Sequence, residues 1–243
     1  MTRVALISDI HSNELALRAV LSDIRRTGVD QVICLGDIAN MGPEPNAVIE
    51  ILAELGCPCI MGNHDEFLLD PELVHTYSDS PAVVASVEWS RSRLSGDELE
   101  FIRDFKRDHE IVLGSNATLY LFHGSPRSNT EDLLATTPVE ALDEMLAGAR
   151  AAVMAGGHTH IQMLRQHHGH LLVNPGSVGL AFKDYVSGGP PTILSHAEYA
   201  IVQEDGGTIE ISLRRVPLDR DRLREASRRS DHPLREFLLQ QYS

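Results

Sequence analysis

A mixed α/β core of two packed sheets flanked by helices is the architecture predicted for this 243-residue chain. Three observations predict it. Residues 1–65 alternate short apolar runs with helical periodicity, residues 66–116 read as helix without strands, and the last third carries two hairpins of late strands. Alternation of strand and helix predicts a parallel sheet, and hairpins predict antiparallel additions to it.

The elements follow in order. Thr2–Ser8 is a continuous apolar run, as expected of a strand covered on both faces. Leu17, Val20, Leu21 and Ile24 share one helical face, which Gly28 ends. Gln31–Leu35 reads as a second strand. Val48, Ile51, Leu52 and Leu55 mark a second helix, entered through Pro43 and Pro45 and left at Gly56. Cys59–Met61 reads as a third strand, completing a β-α-β-α-β start with right-handed crossovers.

From Glu66 to about Asn116 a helical insertion is expected to lean over one end of the sheet. Val84, Val87, Arg91 and Leu94 share a face there, and Ser95-Gly96-Asp97-Glu98 reads as a capping box. Trp89 is expected to anchor the core of that insertion. Strands resume at Leu119–Phe122 and Ala152–Ala155. Ile161–Gln166 with His170–Val173, and Tyr199–Gln203 with Thr208–Arg215, read as hairpins. A basic, amphipathic helical tail is expected over 219–243, so that the whole of 1–243 forms one domain with an insertion and a tail. The arginines of the tail read as a solvated face pairing with nearby acids.

Composition narrows the function. The chain is 42% hydrophobic and 23% charged, as in ordinary globular proteins, and no apolar run approaches the ~20 residues that span a bilayer. The N-terminus enters a strand directly rather than a signal peptide, and Cys34, Cys57 and Cys59 show no disulfide framework, so a cytoplasmic, reducing setting is expected. The formal charge of -14 counts against long nucleic acid, whose phosphates need Lys and Arg, but not against a small phosphorylated substrate held at metal ions. Homo-oligomerisation stays open.

Five polar clusters follow strands or start loops: Asp9-Ile10-His11, Gly36-Asp37 with Asn40 after it, Gly62-Asn63-His64-Asp65, His123-Gly124, and Gly157-His158-Thr159-His160. Loops at the carboxyl ends of strands converge in α/β sheets. Carboxylate, amide oxygen and imidazole suit borderline-hard divalent ions such as Mn, Fe or Zn. Seven such side chains are about right for two ions sharing a carboxylate. In an extended loop His158 and His160, two apart, face the same side. His167, His168 and His170 lie at a hairpin turn and read as solvated, and His75 and His109 are set aside.

In this order the five clusters resemble the calcineurin-like metallophosphoesterase superfamily over roughly residues 3–215. Asn174-Pro175-Gly176-Ser177-Val178-Gly179 is similar to its small bacterial phosphodiesterase branch, although Ser12 stands where Gly is common. The resemblance implies a four-layer α-β-β-α sandwich of two mixed sheets, with a dinuclear centre at one end. It implies Asp9, His11 and His160 on a first metal, Asn63, His123 and His158 on a second, and Asp37 bridging. His64 matches the catalytic histidine, with Asp65 orienting it. Two cations about 3.5–4 Å apart can clamp the attacking and leaving oxygens, and a bridging position supplies hydroxide near neutral pH. His64 would then protonate the leaving alkoxide. Arg127 is a candidate grip on a phosphate oxygen, and Lys183 and Tyr185 are weaker candidates for a substrate rim. The expected function is metal-dependent hydrolysis of a small-molecule phosphodiester or phosphomonoester. A phosphoprotein phosphatase is the alternative, followed by a non-catalytic metal-binding scaffold such as the superfamily's member in a membrane-trafficking coat.

Overall fold

The computed structural model describes residues 1–114, 117–186 and 189–243. The first sheet contains β1 (Thr2–Ile7), β2 (Gln31–Cys34), β8 (His196–Asp205) and β9 (Thr208–Pro217), in the order β2-β1-β8-β9. β1 pairs parallel with β2 and antiparallel with β8, which continues antiparallel into β9. The second sheet contains β3 (His109–Leu113), β4 (Ala117–Leu121), β5 (Val153–Ala155), β6 (Met163–His167) and β7 (His170–Asn174), in the order β3-β4-β5-β7-β6. Its β4-β5 and β5-β7 pairs are parallel, and both edge pairs are antiparallel.

Period-two alternation decides which face each side chain serves. On β1, Val4 and Leu6 enter the layer between the sheets, where they meet Leu119, Leu121, Val153 and Val202. Ala5 and Ile7 face the other way, onto α1 (Glu14–Thr27) and α2 (Pro45–Leu55), through Leu17, Val20, Ile24, Val48 and Leu52. Beyond the second sheet, Phe122, Met154 and Leu172 pack on Leu142 and Met145 of α7 (Val139–Met145). The layers are therefore helix, sheet, sheet, helix. Leu6 is completely buried at the centre. Leu6→Ala is expected to cost roughly 2–5 kcal/mol, because two rigid sheets cannot collapse onto the cavity; urea denaturation measures it.

Two elements differ from the sequence expectation. Cys59–Met61 joins its neighbours only through isolated bridges, Cys34 with Cys59 and Ile60 with Lys106. Pro58 offers no N–H and the chain turns into α3 (Asn63–Leu69) directly afterwards, so no ladder develops. Strand β3 lies within the stretch expected to be wholly helical. Its side chains alternate, with Val112 and Glu110 outward and Leu113 buried, as suits an edge strand. Asn116, the expected end of that stretch, lies outside the described residues. Before β3 run α3, a short 3-10 turn (Pro71–Leu73), α4 (Val74–Tyr77), α5 (Pro81–Arg93) and α6 (Gly96–Arg103). Helix α6 opens on the expected capping box, Glu98 N–H to Ser95 Oγ at 3.2 Å and Ser95 N–H to Glu98 Oε2 at 2.8 Å.

The tail forms α8 (Arg220–Arg229) and α9 (Arg235–Gln241). Leu223, Leu238 and Tyr242 pack on Leu180 and Ile193, while Arg228 and Arg229 pair with Glu225 on the outer face. Among the described residues no helix is long and apolar enough to cross a membrane.

Candidate metal centre

Each of the five clusters stands where a strand or extended run ends, and folding brings them to one place. Asp9 and His11 follow β1, Asp37 follows β2, Asn63 and His64 open α3, His123 follows β4, and His158 and His160 follow β5. All are buried, the most exposed being His158 at 8%. Close backbone approach holds the loops together. A Cβ on Gly62 would fall 2.6 Å from Asp37 N, and one on Gly157 would fall 2.6 Å from Asp9 Oδ2. Only glycine allows either contact.

Two groups form. Asp9, His11 and His160 make one, and Asp37, His123 and His158 the other, each with ligand-type atoms within 4.8 Å of one another. Asp37 Oδ2 lies 3.3 Å from His123 Nε2 and 3.9 Å from His11 Nε2, so this carboxylate faces both groups. Asn63 Oδ1 lies 3.2 Å from His123 Nε2. His158 Nε2 is 3.5 Å from Asp132 Oδ1, and Asp132 also accepts the Tyr185 hydroxyl at 2.7 Å. Tyr185, a weak candidate for the rim, is thus tied to the edge of the site, and Asp132 had no signal in the sequence.

The donor set fits divalent cations. His11, His123 and His160 each direct Nδ1 to a backbone carbonyl, of Asn40, Leu35 and Leu180, at 3.3, 2.7 and 2.7 Å. Donating there leaves the Nε2 lone pairs aimed inward, the arrangement that prepares an imidazole for a metal. His11 Nε2 and His160 Nε2 face each other at 3.0 Å, a contact that two lone pairs tolerate only with positive charge between them or on one of them. Asp9 Oδ1 is buried without a hydrogen-bond partner among the described residues.

The electrostatics agree. Burial raises the Asp9 carboxyl, but His160 and then His123 outweigh it and hold it at about 2. Asp37 is likewise held well below the carboxylate range against burial, by His123 and His64. Burial lowers the His123 imidazole, yet Asp37 and Asp9 lift it to about 10. The field of the two carboxylates therefore favours positive charge at the centre of the cluster. A further group, Asp143 with His167 and His168, sits on the β6–β7 hairpin. There His167 Nε2 meets Asp143 Oδ1 at 2.7 Å, an ordinary hydrogen bond, and among the described residues neither Nδ1 is pinned by a carbonyl.

Backbone strain marks the same residues. Nine non-glycine residues among those described have positive φ, and five of them are Asp9, His11, Asp37, His158 and His160. Each costs on the order of 1–3 kcal/mol, tolerated where surrounding structure enforces it and concentrated at functional sites.

His64 and Asp65 are arranged differently from expectation. Among the described residues no hydrogen bond joins Asp65 to the His64 ring. Its carboxylate accepts the backbone N–H groups of Asp37, Ile38 and Gly62 at 2.7, 2.9 and 3.0 Å, tying the Asp37 turn to the start of α3. As the third residue of its own helix, Asp65 reaches back to the N–H of Gly62 at the N-cap, which aims its carboxylate at backbone donors. Burial and the Asp37 charge lift the carboxyl to about 7. The partner of His64 is Asn40, whose Nδ2 lies 2.8 Å from Nδ1. Tyr77 stands over His64 and His158, with ring centroids 6.0 Å from each, and no sequence pattern marked it. Arg127 gives its guanidinium to Glu131, at 2.6 Å from Nη2 and 2.8 Å from Nε. Arg107 instead lines a cleft shared with His123, Ser125 and Ser128.

Two Asp/His groups facing one shared carboxylate, at one end of a sandwich of two sheets, define the class of a metallophosphoesterase. The chain belongs to the calcineurin-like phosphoesterase superfamily, whose domain matches residues 2–194. It is 30% identical over 214 residues to an uncharacterised protein of Methanocaldococcus jannaschii, covering 86% of this chain and 85% of that one. A metallophosphoesterase structure from Sphaerobacter thermophilus shares the fold with a TM-score of 0.76 at 23% identity, over 99% of this chain and 98% of that one. A hypothetical protein from Pyrococcus horikoshii OT3 does so with a TM-score of 0.82 at 20% identity, over 99% and 97%.

Proposed function

We propose that this chain hydrolyses a phosphodiester or phosphomonoester of a small molecule, with two divalent ions such as Mn, Fe or Zn. Asp9, His11 and His160 would hold one ion, Asn63, His123 and His158 the other, with Asp37 between them. The observation that carries this reading is the Asp37 carboxylate lying against a histidine of each group. When bound, the ions polarise the phosphoryl oxygens and activate water for attack at phosphorus.

The protein's own groups supply the rest. Buried carboxylates and pinned imidazoles keep the site rigid, so little reorganisation is needed as charge develops. His64 accepts from Asn40 at Nδ1, leaving a proton on Nε2 to meet the leaving-group oxygen. Asp65 acts one step removed, by fixing the backbone of the Asp37 turn. Tyr77 borders the mouth, and Arg107 is better placed than Arg127 to meet an anionic substituent. Carboxylate, amide and imidazole side chains call for no protein nucleophile, in keeping with direct displacement by water. The helical stretch between α3 and α6 serves as the cap of a single domain. Free cysteines suit a reducing, cytoplasmic setting.

The test is hydrolysis of bis-p-nitrophenyl phosphate and p-nitrophenyl phosphate with added manganese, before and after chelation. Turnover of either ester, lost with the chelator and restored by metal, is expected. Protein that binds its ions and cleaves neither ester would count for the scaffold.

A further inference from the structure

The family domain ends at Leu194, yet the hydrogen bonds around His64 continue into the tail beyond it. The Leu234 N–H donates to His232 Nδ1 at 3.1 Å, so that nitrogen carries no proton. His232 Nε2 then donates to Ser86 Oγ at 3.0 Å. Ser86 Oγ also faces the Met41 N–H at 3.2 Å, which uses its second lone pair, and its single proton goes to Asn40 Oδ1 at 2.7 Å. Ser90 Oγ and the Met41 N–H reach the same oxygen at 3.2 and 2.7 Å. An amide oxygen surrounded by donors leaves its NH2 facing His64 Nδ1, at 2.8 Å. Two backbone N–H groups that cannot reverse, of Leu234 at the far end and of Met41 at the Asn40 oxygen, agree on the direction of the links.

We propose that His232 is a positioning residue for His64: by donating to Ser86 it works together with the Met41 N–H to hold the Asn40 amide with its oxygen turned away from His64, so that the ring proton of His64 is presented to substrate from Nε2. The proposal rests on the phosphoesterase reading of the site. Asn40, Ser86 and Ser90 are fully buried and His232 is 2% exposed. Burying this many polar groups is costly unless each is satisfied, and here they converge on one imidazole. The tail is clamped for the purpose. Asp231 accepts Trp89 Nε1 at 3.0 Å and pairs with Arg93, and the Trp89 ring meets His232 edge to face at 4.6 Å. Trp89, expected in the core of the insertion, therefore docks the tail. Burial, and after it the Arg93 charge, hold His232 down at about 4, which keeps it neutral and able to accept at Nδ1.

The test uses zinc-loaded protein with isotopically labelled histidine, whose long-range nitrogen–proton spectra report which ring nitrogen is protonated. Wild-type His64 is expected as the Nε2–H form alone, and the Nδ1–H form should appear in His232→Phe and in Ser86→Ala. With a phenyl phosphate ester, kcat should fall roughly tenfold at unchanged KM, and with the p-nitrophenyl ester by less than about twofold, since a misplaced donor matters most to a poor leaving group. The double variant should lose no more than either single one, because both act through one path. His232→Gln, with an amide donor able to reach Ser86, should restore most of the rate. A single Nε2–H form of His64 in both folded variants overturns the proposal, and so does an equal loss on both esters. A wild type that cleaves neither ester defeats the phosphoesterase reading instead, and the tautomer spectra then decide the role of His232 by themselves.

Discussion

His64→Ala is expected to lower kcat on a phenyl phosphate ester by roughly 10²–10³-fold, the usual loss when one donor to a developing oxyanion is removed. Burial, more than any neighbouring charge, holds the His64 imidazole below its ordinary range, and Asn40 occupies its Nδ1. The ring is therefore a neutral donor with one usable proton, on Nε2. A neutral donor helps most where the departing oxygen is basic. The same substitution should cost much less with a p-nitrophenyl ester, whose leaving group carries its charge without help. His64 meets Asp37 through its backbone N–H, which the substitution keeps, and its ring meets His11 edge to face, so the ion content should stay close to the wild-type level. Kinetics on both esters, with elemental analysis of the same samples, measure all three outcomes. Equal losses on the two esters would remove His64 from the leaving-group side.

Asp37→Asn is expected to disturb both ions at once. Asp37 Oδ1 accepts the His64 N–H at 2.9 Å, and an amide oxygen can keep that contact. The substitution therefore removes charge while leaving the turn in place. Its Oδ2 faces His11 of one group and His123 of the other. Loss of a ligand should exceed the 10–100-fold cost in affinity typical of outer-shell partners. At a metal concentration far above both dissociation constants, a 100-fold weaker affinity removes about 2.7 kcal/mol of ligand-linked stability. Elemental analysis should show fewer than two ions per chain, and thermal unfolding with and without metal should show a smaller gain than for the wild type. Two ions retained at wild-type affinity would mean that Asp37 does not bridge them.

Much of this was legible in the chain itself. Strands β1 and β2, helices α1 and α2 and both hairpins declare themselves through apolar periodicity and glycine punctuation, which are local properties. The clusters around Asp9, Asp37, Asn63, His123 and His158 were legible because loops at strand ends place consecutive residues together. Strand β3 was not, since an edge strand buries little and its alternation is hard to distinguish from a polar helix.

What the sequence by itself determined is the repertoire: two carboxylates, an amide and imidazoles at loops that an α/β core must bring together, with a chain polarity that sets their order. Only the tertiary structure decided who faces whom. It gave Asp65 to the backbone of the Asp37 turn and Asn40 to His64, turned Arg127 onto Glu131, set Tyr77 at the mouth and led the tail back to Ser86. It also forced Asp9, His11, Asp37, His158 and His160 into left-handed backbone. Neighbours in sequence share a backbone but not a direction, and a side chain's partner depends on φ, ψ and on distant segments, 146 residues away for Ser86 and His232, which no local pattern encodes.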